Sequence, residues 1–265
     1  MIKRADHERR SLPRSPERAL RGALYSTLRL IARHVQGFFS ALATFVTVGF
    51  IIFAAALASF GAMAGAMTQG WTQKLDDTAL RWFEQNRFPL GDRIMIEISS
   101  LGTGLVLIVM VAVASVFLWL THHRWSAYVL LLSVGGGKLL NTLLKILFGR
   151  PRPSIVESIT EVTSASFPSG HAMSSMVAYG TVAYLVARLE PTPLLRRTTW
   201  VLATLIILAI GTSRMYLGVH YPSDVLAGYL GGIAWIAFVA ATLTALRFFA
   251  DRRPETRAEE HDLSR

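Results

Sequence analysis

Residues Ser213–Asp224 read SRMYLGVHYPSD. Arg214, His220 and Asp224 stand close together there, between two long apolar runs. A guanidinium presents a planar fork of donors that suits phosphate oxygens. Imidazole can act as nucleophile or acid near neutral pH. A carboxylate four residues on can accept the other ring N–H and set the tautomer, as in a triad. Charge wedged between membrane-length segments is costly, which marks the stretch as a candidate functional site. From these residues alone, a solvated polar loop is an equally good reading.

The flanks extend the argument. Apolar runs occupy Phe38–Met67, Ile94–Leu120, Trp125–Phe148, His171–Leu189, Thr198–Ile210 with an extension to Leu217, and Val225–Phe249. At roughly 20 residues per crossing, the runs fit six membrane spans. Beta-barrel alternation is absent, so the spans are expected to be helices. The fold expected is therefore all-α, an integral membrane bundle of six transmembrane helices. Composition agrees: 52% of the 265 residues are hydrophobic, and the mean hydropathy is +0.42. There is no Cys, so disulfides and thiolate ligands are excluded. The net charge of +10 does not indicate nucleic acid, because the basic residues flank apolar runs instead of sharing one polar face. Anionic membrane lipids are the expected partner; the oligomeric state is not legible.

Three segments follow from this layout. Residues 1–37 form a basic cytoplasmic segment, partly disordered, with Ala19, Leu20, Leu24, Leu28 and Ile31 at the spacing of an amphipathic surface helix. Residues 38–250 form the six-span domain, and 251–265 a charged disordered tail. With both termini cytoplasmic, 18 of the 27 Lys and Arg face inward and eight face outward, Lys138 lying within a span. Between the first two runs, Leu75, Leu80, Trp82 and Phe83 suit either a short interfacial helix or a solvated loop.

This topology puts two further polar passages on the same outer side as the first. One is KILFGRPRP, Lys145–Pro153; the other is SASFPSGH, Ser164–His171. Pro151 and Pro153 stop the third span near Gly149, so Arg152 belongs to an extended turn. Arg150 is expected to contact headgroups or solvent. Ser169 suits the N-cap of the fourth span, leaving the N–H groups of Gly170 and His171 at a helix start that favours anions. Pro222 suits the first turn of the last helix.

Taken in order, K-x6-R-P (Lys145, Arg152, Pro153), P-S-G-H (Pro168–His171) and S-R-x5-H-x3-D (Ser213, Arg214, His220, Asp224) resemble the type 2 phosphatidic acid phosphatase superfamily. That superfamily includes membrane lipid phosphatases, soluble acid phosphatases and vanadium haloperoxidases; the span layout resembles the membrane branch. The resemblance implies that His220 is the nucleophile, forming a phosphohistidine, and that Asp224 orients it. It implies that His171 protonates the leaving oxygen and then activates water. Lys145, Arg152, Ser169, Gly170 and Arg214 would hold the phosphoryl oxygens. Fixed cations then stabilise the transferring group, and neither a metal nor another cofactor is implied.

The function expected is hydrolysis of a lipid phosphate or isoprenoid diphosphate, such as phosphatidate, phosphatidylglycerol phosphate or undecaprenyl diphosphate. The site would face the periplasm or extracellular side of the cell membrane. A lipid phosphotransferase and a non-hydrolytic phospholipid transporter are the alternatives. Gly135–Gly137, mid-span, reads as a helix-packing surface. Glu97 is open between pairing, lining the pocket and packing at the interface. Lys138, two turns from Lys145, is open between a pocket role and a structural one.

Overall fold

The structure, a computed structural model, describes residues 44–160 and 162–262, with side chains as far as Leu246. The basic segment 1–37 and the start of the first apolar run lie outside the described residues. All contacts below fall within residues 46–265, one of the two units into which the chain divides.

The described chain is helical, without strands. Its elements are α1 (Thr44–Thr68), α2 (Gln73–Gln85), α3 (Pro89–Ser100), α4 (Gly104–Leu120), α5 (Arg124–Phe148), α6 (Gly170–Leu189), α7 (Pro193–Tyr216) and α8 (Pro222–Asp262). Local chemistry sets several ends. Pro89, Pro193 and Pro222 occupy first positions, where the missing N–H costs nothing. Thr192 caps α7, its hydroxyl oxygen accepting from the Leu195 N–H at 3.3 Å. Gly149 stops α5 at φ 55°, a left-handed turn that glycine adopts without strain.

Four helices are long and apolar enough to cross a membrane, α1, α5, α7 and the Pro222–Leu246 part of α8; the bent pair α3 and α4 meets the same measure only when its two helices are counted as one span. One expectation changes here. The second apolar run is not one helix: it breaks at residues 101–103 with a 45° bend. The break is stabilised from outside, because Tyr179 donates its hydroxyl to the freed Leu101 carbonyl at 2.9 Å. The fourth run, α6, is not among the span-length apolar helices. It packs against α5, α7 and α8 and buries small or polar residues such as Ala172, Ser175, Gly180, Thr181 and Ala183. A helix enclosed by other helices needs small residues for close approach more than it needs lipophilic ones. The Thr72–Arg93 connection, open between helix and loop, contains α2, which lies on α7 and α8.

Exposed Phe50, Ile51, Leu105, Val113, Leu139, Leu143 and Leu205 form the apolar outer faces that lipid would cover. Inside, Phe60, Ala64 and Met67 of α1 pack on Phe167 and Ala227, and Phe148 meets Phe167 edge to face at 5.0 Å. This anchors the 149–169 loop on α1 and α8. Two of the three glycines of α5 are a packing surface, as the sequence suggests, while Gly135 meets no neighbour and lines the cavity described below. A Cβ on Gly136 would collide with the Trp235 ring, and one on Gly137 would stand 3.2 Å from Val177. Trp235 seals the contact by donating to the Ser133 carbonyl at 2.8 Å.

Candidate active site

Lys145 ends α5, and the chain leaves it extended. Each arginine in Arg150-Pro151-Arg152-Pro153 precedes a proline, which pushes both away from helical backbone. Regular extended alternation would put Arg150 and Arg152, two residues apart, on one face; here Asp76 and Asp224 draw Arg150 to the other side. Arg152 lines a cavity of about 680 Å³, while Arg150 points away from it. Lys145, Gly170, His171, Arg214 and His220 line the same cavity. The three polar passages therefore meet, and they bring six of the eight candidate residues to one wall. The other two, Ser169 and Asp224, are fully buried and not part of that wall. Ser169 is the N-cap residue of α6 as expected, but its hydroxyl caps nothing and has no partner. Its N–H donates to the Asp224 carbonyl at 3.0 Å.

His220 is 1% exposed. Its Nδ1 faces Asp224 Oδ2 at 3.5 Å and Ser166 Oγ at 3.3 Å. Two acceptors on that side place the ring proton on Nδ1, so the Nε2 lone pair faces the cavity as an acceptor. There Arg152 Nη1 stands 3.4 Å from Nε2. Burial pushes the His220 pKa down from 6.5 to about 4, against the pull of Asp224 and with help from Arg152 and Arg214. At neutral pH the ring is uncharged.

Asp224 is saturated. Oδ2 accepts from Ser166 Oγ at 2.5 Å and from the Tyr221 N–H at 2.9 Å. Oδ1 accepts from Arg150 Nη1 at 2.7 Å. Arg150 thus corrects the expectation of a headgroup or solvent contact. It is 8% exposed, bonds Asp76 Oδ2 at 2.9 Å and Ser223 Oγ at 2.7 Å, and lies 4.1 Å over the Tyr221 ring. Asp76, from α2, also accepts from the Ser223 N–H at 3.0 Å and from its hydroxyl at 2.6 Å. Burial opposes the charge on Arg150, but Asp224 and Asp76 outweigh it and raise the pKa. The physical reason is that two buried carboxylates, each hydrogen-bonded to the guanidinium, favour its charged form.

The cations on the cavity wall are held as firmly. Arg152 donates to the carbonyls of Val219 at 2.5 Å and Ser164 at 2.7 Å; burial lowers its pKa. Arg214 Nη1 donates to Ser99 Oγ at 2.6 Å, and its Nε has no partner. Lys145 donates to the Ala165 carbonyl. The α3–α4 break touches the site directly, since a Cβ on Gly102 would stand 3.0 Å from the His171 ring. Gly218 turns the chain into Val219 and His220 at φ +73°, where a Cβ would also press on the Glu157 carbonyl at 2.9 Å.

The motifs do not mark Ser166, Asp76, Ser223 and Ser99. Ser166 sits within the quoted SASFPSGH passage, but nothing in its spacing separates it from Ser164. Asp76 had a usable signal: an acid on the buried side of an amphipathic helix, beside Leu80. Glu97 is exposed, forms no ion pair and is not on the cavity wall. Lys138 is on that wall.

Span-length helices around a cavity bearing two histidines and several fixed cations define a class, membrane proteins that handle phosphate groups. The chain belongs to the PAP2 superfamily, whose family model matches residues 126–248, and to its membrane lipid phosphatases. Phosphatidylglycerophosphatase B of Bacillus subtilis (strain 168) is 31% identical over 172 residues, covering 64% of this chain and 84% of the relative. An undecaprenyl-diphosphatase of Sulfolobus acidocaldarius is 37% identical over 81 residues, 31% of this chain and 34% of that protein. Among solved structures, the transmembrane PAP2-type phosphatidylglycerolphosphate phosphatase of Bacillus subtilis superposes with a TM-score of 0.68 at 28% identity, covering 71% of this chain and 94% of that one.

Proposed function

We propose that this protein hydrolyses the terminal phosphate of a membrane lipid through a phosphohistidine on His220. The observation that carries the reading is the pairing of an unprotonated His220 Nε2 on the cavity wall, beside Arg152, with Asp224 and Ser166 on the other ring nitrogen. In the first step Nε2 attacks phosphorus, the phosphorus–oxygen bond to the lipid breaks, and His171 gives its proton to the departing oxygen. In the second, His171 takes a proton from water, the resulting hydroxide attacks phosphorus, and the phosphorus–nitrogen bond breaks. Inorganic phosphate leaves and both histidines are restored. Lys145, Arg152, Arg214 and the N–H groups at the start of α6 surround the equatorial oxygens, where charge gathers in the transition state.

The substrate class is drawn from phosphatidylglycerol phosphate, undecaprenyl diphosphate, phosphatidate and lipid A phosphates. The first two correspond to what the relatives' names say those proteins act on. In the topology proposed, the bent α3–α4 pair is the second crossing and α6 the fourth, which makes six with α1, α5, α7 and α8. Both termini are then cytoplasmic, and the cavity opens at the outer leaflet. The charge balance of the connections supports that orientation.

The test is phosphate release by the purified protein in detergent with EDTA, over those four lipids. Release that is lost in His220→Ala, and blocked by vanadate as a mimic of five-coordinate phosphorus, is expected. Binding of lipid without release would contradict hydrolysis and favour transport.

A further inference from the structure

The cavity is longer than one phosphate requires. Along α5 its wall is Val134, Gly135, Lys138, Asn141, Thr142, Lys145 and Ile146. These recur every three or four residues, one face of a helix, over roughly 18 Å. Lys138 lies seven residues before Lys145, about 10 Å deeper on that face. One turn further α5 presents Val134, and the same wall takes apolar Leu107 and Ile108 from α4 and Val177 from α6.

Lys138 is an ammonium within a span-length helix with nothing to neutralise it. Among the described residues it makes no side-chain hydrogen bond and no ion pair, and the cavity wall carries no Asp or Glu. Its neighbours are committed elsewhere. Asn141 turns its amide toward Met173 Sδ at 3.5 Å, and the Thr142 hydroxyl donates back to the Lys138 carbonyl at 3.1 Å. A cation at that depth is retained at a cost unless a ligand supplies the countercharge. Along α5 the order is Lys145 beside the histidines, then Lys138, then Val134.

We infer that Lys138 is a second anion subsite, selecting lipids that carry another phosphate group between the terminal phosphate and the apolar tail. The inference rests on the lipid phosphatase reading above. Both a phosphodiester, as in phosphatidylglycerol phosphate, and the inner phosphate of an isoprenoid diphosphate have this chemistry. Phosphatidate, with uncharged esters there, does not.

The experiment compares wild type, Lys138→Met and Lys138→Arg on phosphatidylglycerol phosphate, undecaprenyl diphosphate and phosphatidate in one detergent. A charge-assisted bond of typical strength predicts that Lys138→Met loses about 10- to 100-fold in kcat/KM on a two-phosphate lipid. Phosphatidate should change less than about threefold, and Lys138→Arg should restore most of the loss. A response confined to one two-phosphate lipid supports the subsite and names its ligand. Equal losses on all three lipids, or no loss on any, overturn it. If the wild type releases phosphate from none of them, the hydrolase reading fails separately. Equilibrium binding of the same intact lipids then decides: the subsite requires tighter binding of a two-phosphate lipid than of phosphatidate, abolished in Lys138→Met, and equal binding rejects it.

Discussion

Arg150 Nη1 lies 2.7 Å from Asp224 Oδ1, so the carboxylate facing His220 is clamped from behind by a cation that never reaches the cavity. Asp76 clamps the arginine in turn, Oδ2 to Nη2 at 2.9 Å. The chain of contacts ties α2 to the start of α8 and leaves Asp224 one orientation.

Removing Arg150 strands two buried carboxylates. Arg150→Met is expected to destabilise the protein by about 3–5 kcal/mol, the range for breaking a buried ion pair from one side. Asp76→Asn, which keeps the shape, should cost less. Thermal unfolding in detergent reads both. Equal midpoints for wild type and Arg150→Met would contradict the clamp.

Ser166 is the second test of Asp224 orientation. Its hydroxyl donates to Asp224 Oδ2 at 2.5 Å beside the His220 ring. Ser166→Ala should lower kcat about tenfold, one hydrogen bond to a charged group, with KM little changed, because Ser166 does not line the cavity. Steady-state kinetics on one lipid separates the two; a change confined to KM would place Ser166 at the substrate instead.

The pH dependence follows from His220. Its folded pKa is about 4 against 6.5 unperturbed, so between those values the unfolded chain binds the proton and the folded protein does not. The stability contribution is complete above 6.5 and is lost as pH falls toward 4. Unfolding midpoints of wild type and His220→Asn should therefore diverge in slope only within that window. For activity, kcat/KM corrected for the substrate's own ionisation near about pH 6 should hold down to about pH 5 before His220 protonation lowers it. An acid limb centred on 6.5 would show an unperturbed ring.

How far the residues foretold this site depends on which contacts are local. The ordered motifs found the wall, because Lys145, Arg152, His171, Arg214 and His220 each sit at a helix end or polar loop that breaks an apolar run. Arg150 was misread because its partners, Asp76 and Asp224, are 74 residues away in either direction. Spacing records only neighbours in sequence. The bend at residues 101–103 was missed for a similar reason: the run is apolar throughout, and the Tyr179 hydroxyl that accommodates the break comes from α6. Helix α6 itself was found as an element, although its buried small residues keep it out of the set of span-length apolar helices.

Gly136 tests the packing of α5 on α8. Gly136→Ala drives a methyl group into Trp235 and should destabilise by about 1–3 kcal/mol, the usual cost of overpacking. Adding Trp235→Leu should recover part of that loss. Unfolding midpoints of the single and double variants check it; strictly additive effects would mean the two residues do not meet.

The central claim is that phosphorus becomes bonded to His220 during turnover. Rapid acid-free quenching of the protein with lipid labelled in its terminal phosphate measures this directly. The account predicts label on the protein that is stable in base and labile in acid, mapped to His220 and absent from His220→Ala. Phosphate release by wild type with no labelled protein at any quench time, or label that persists in His220→Ala, would contradict it.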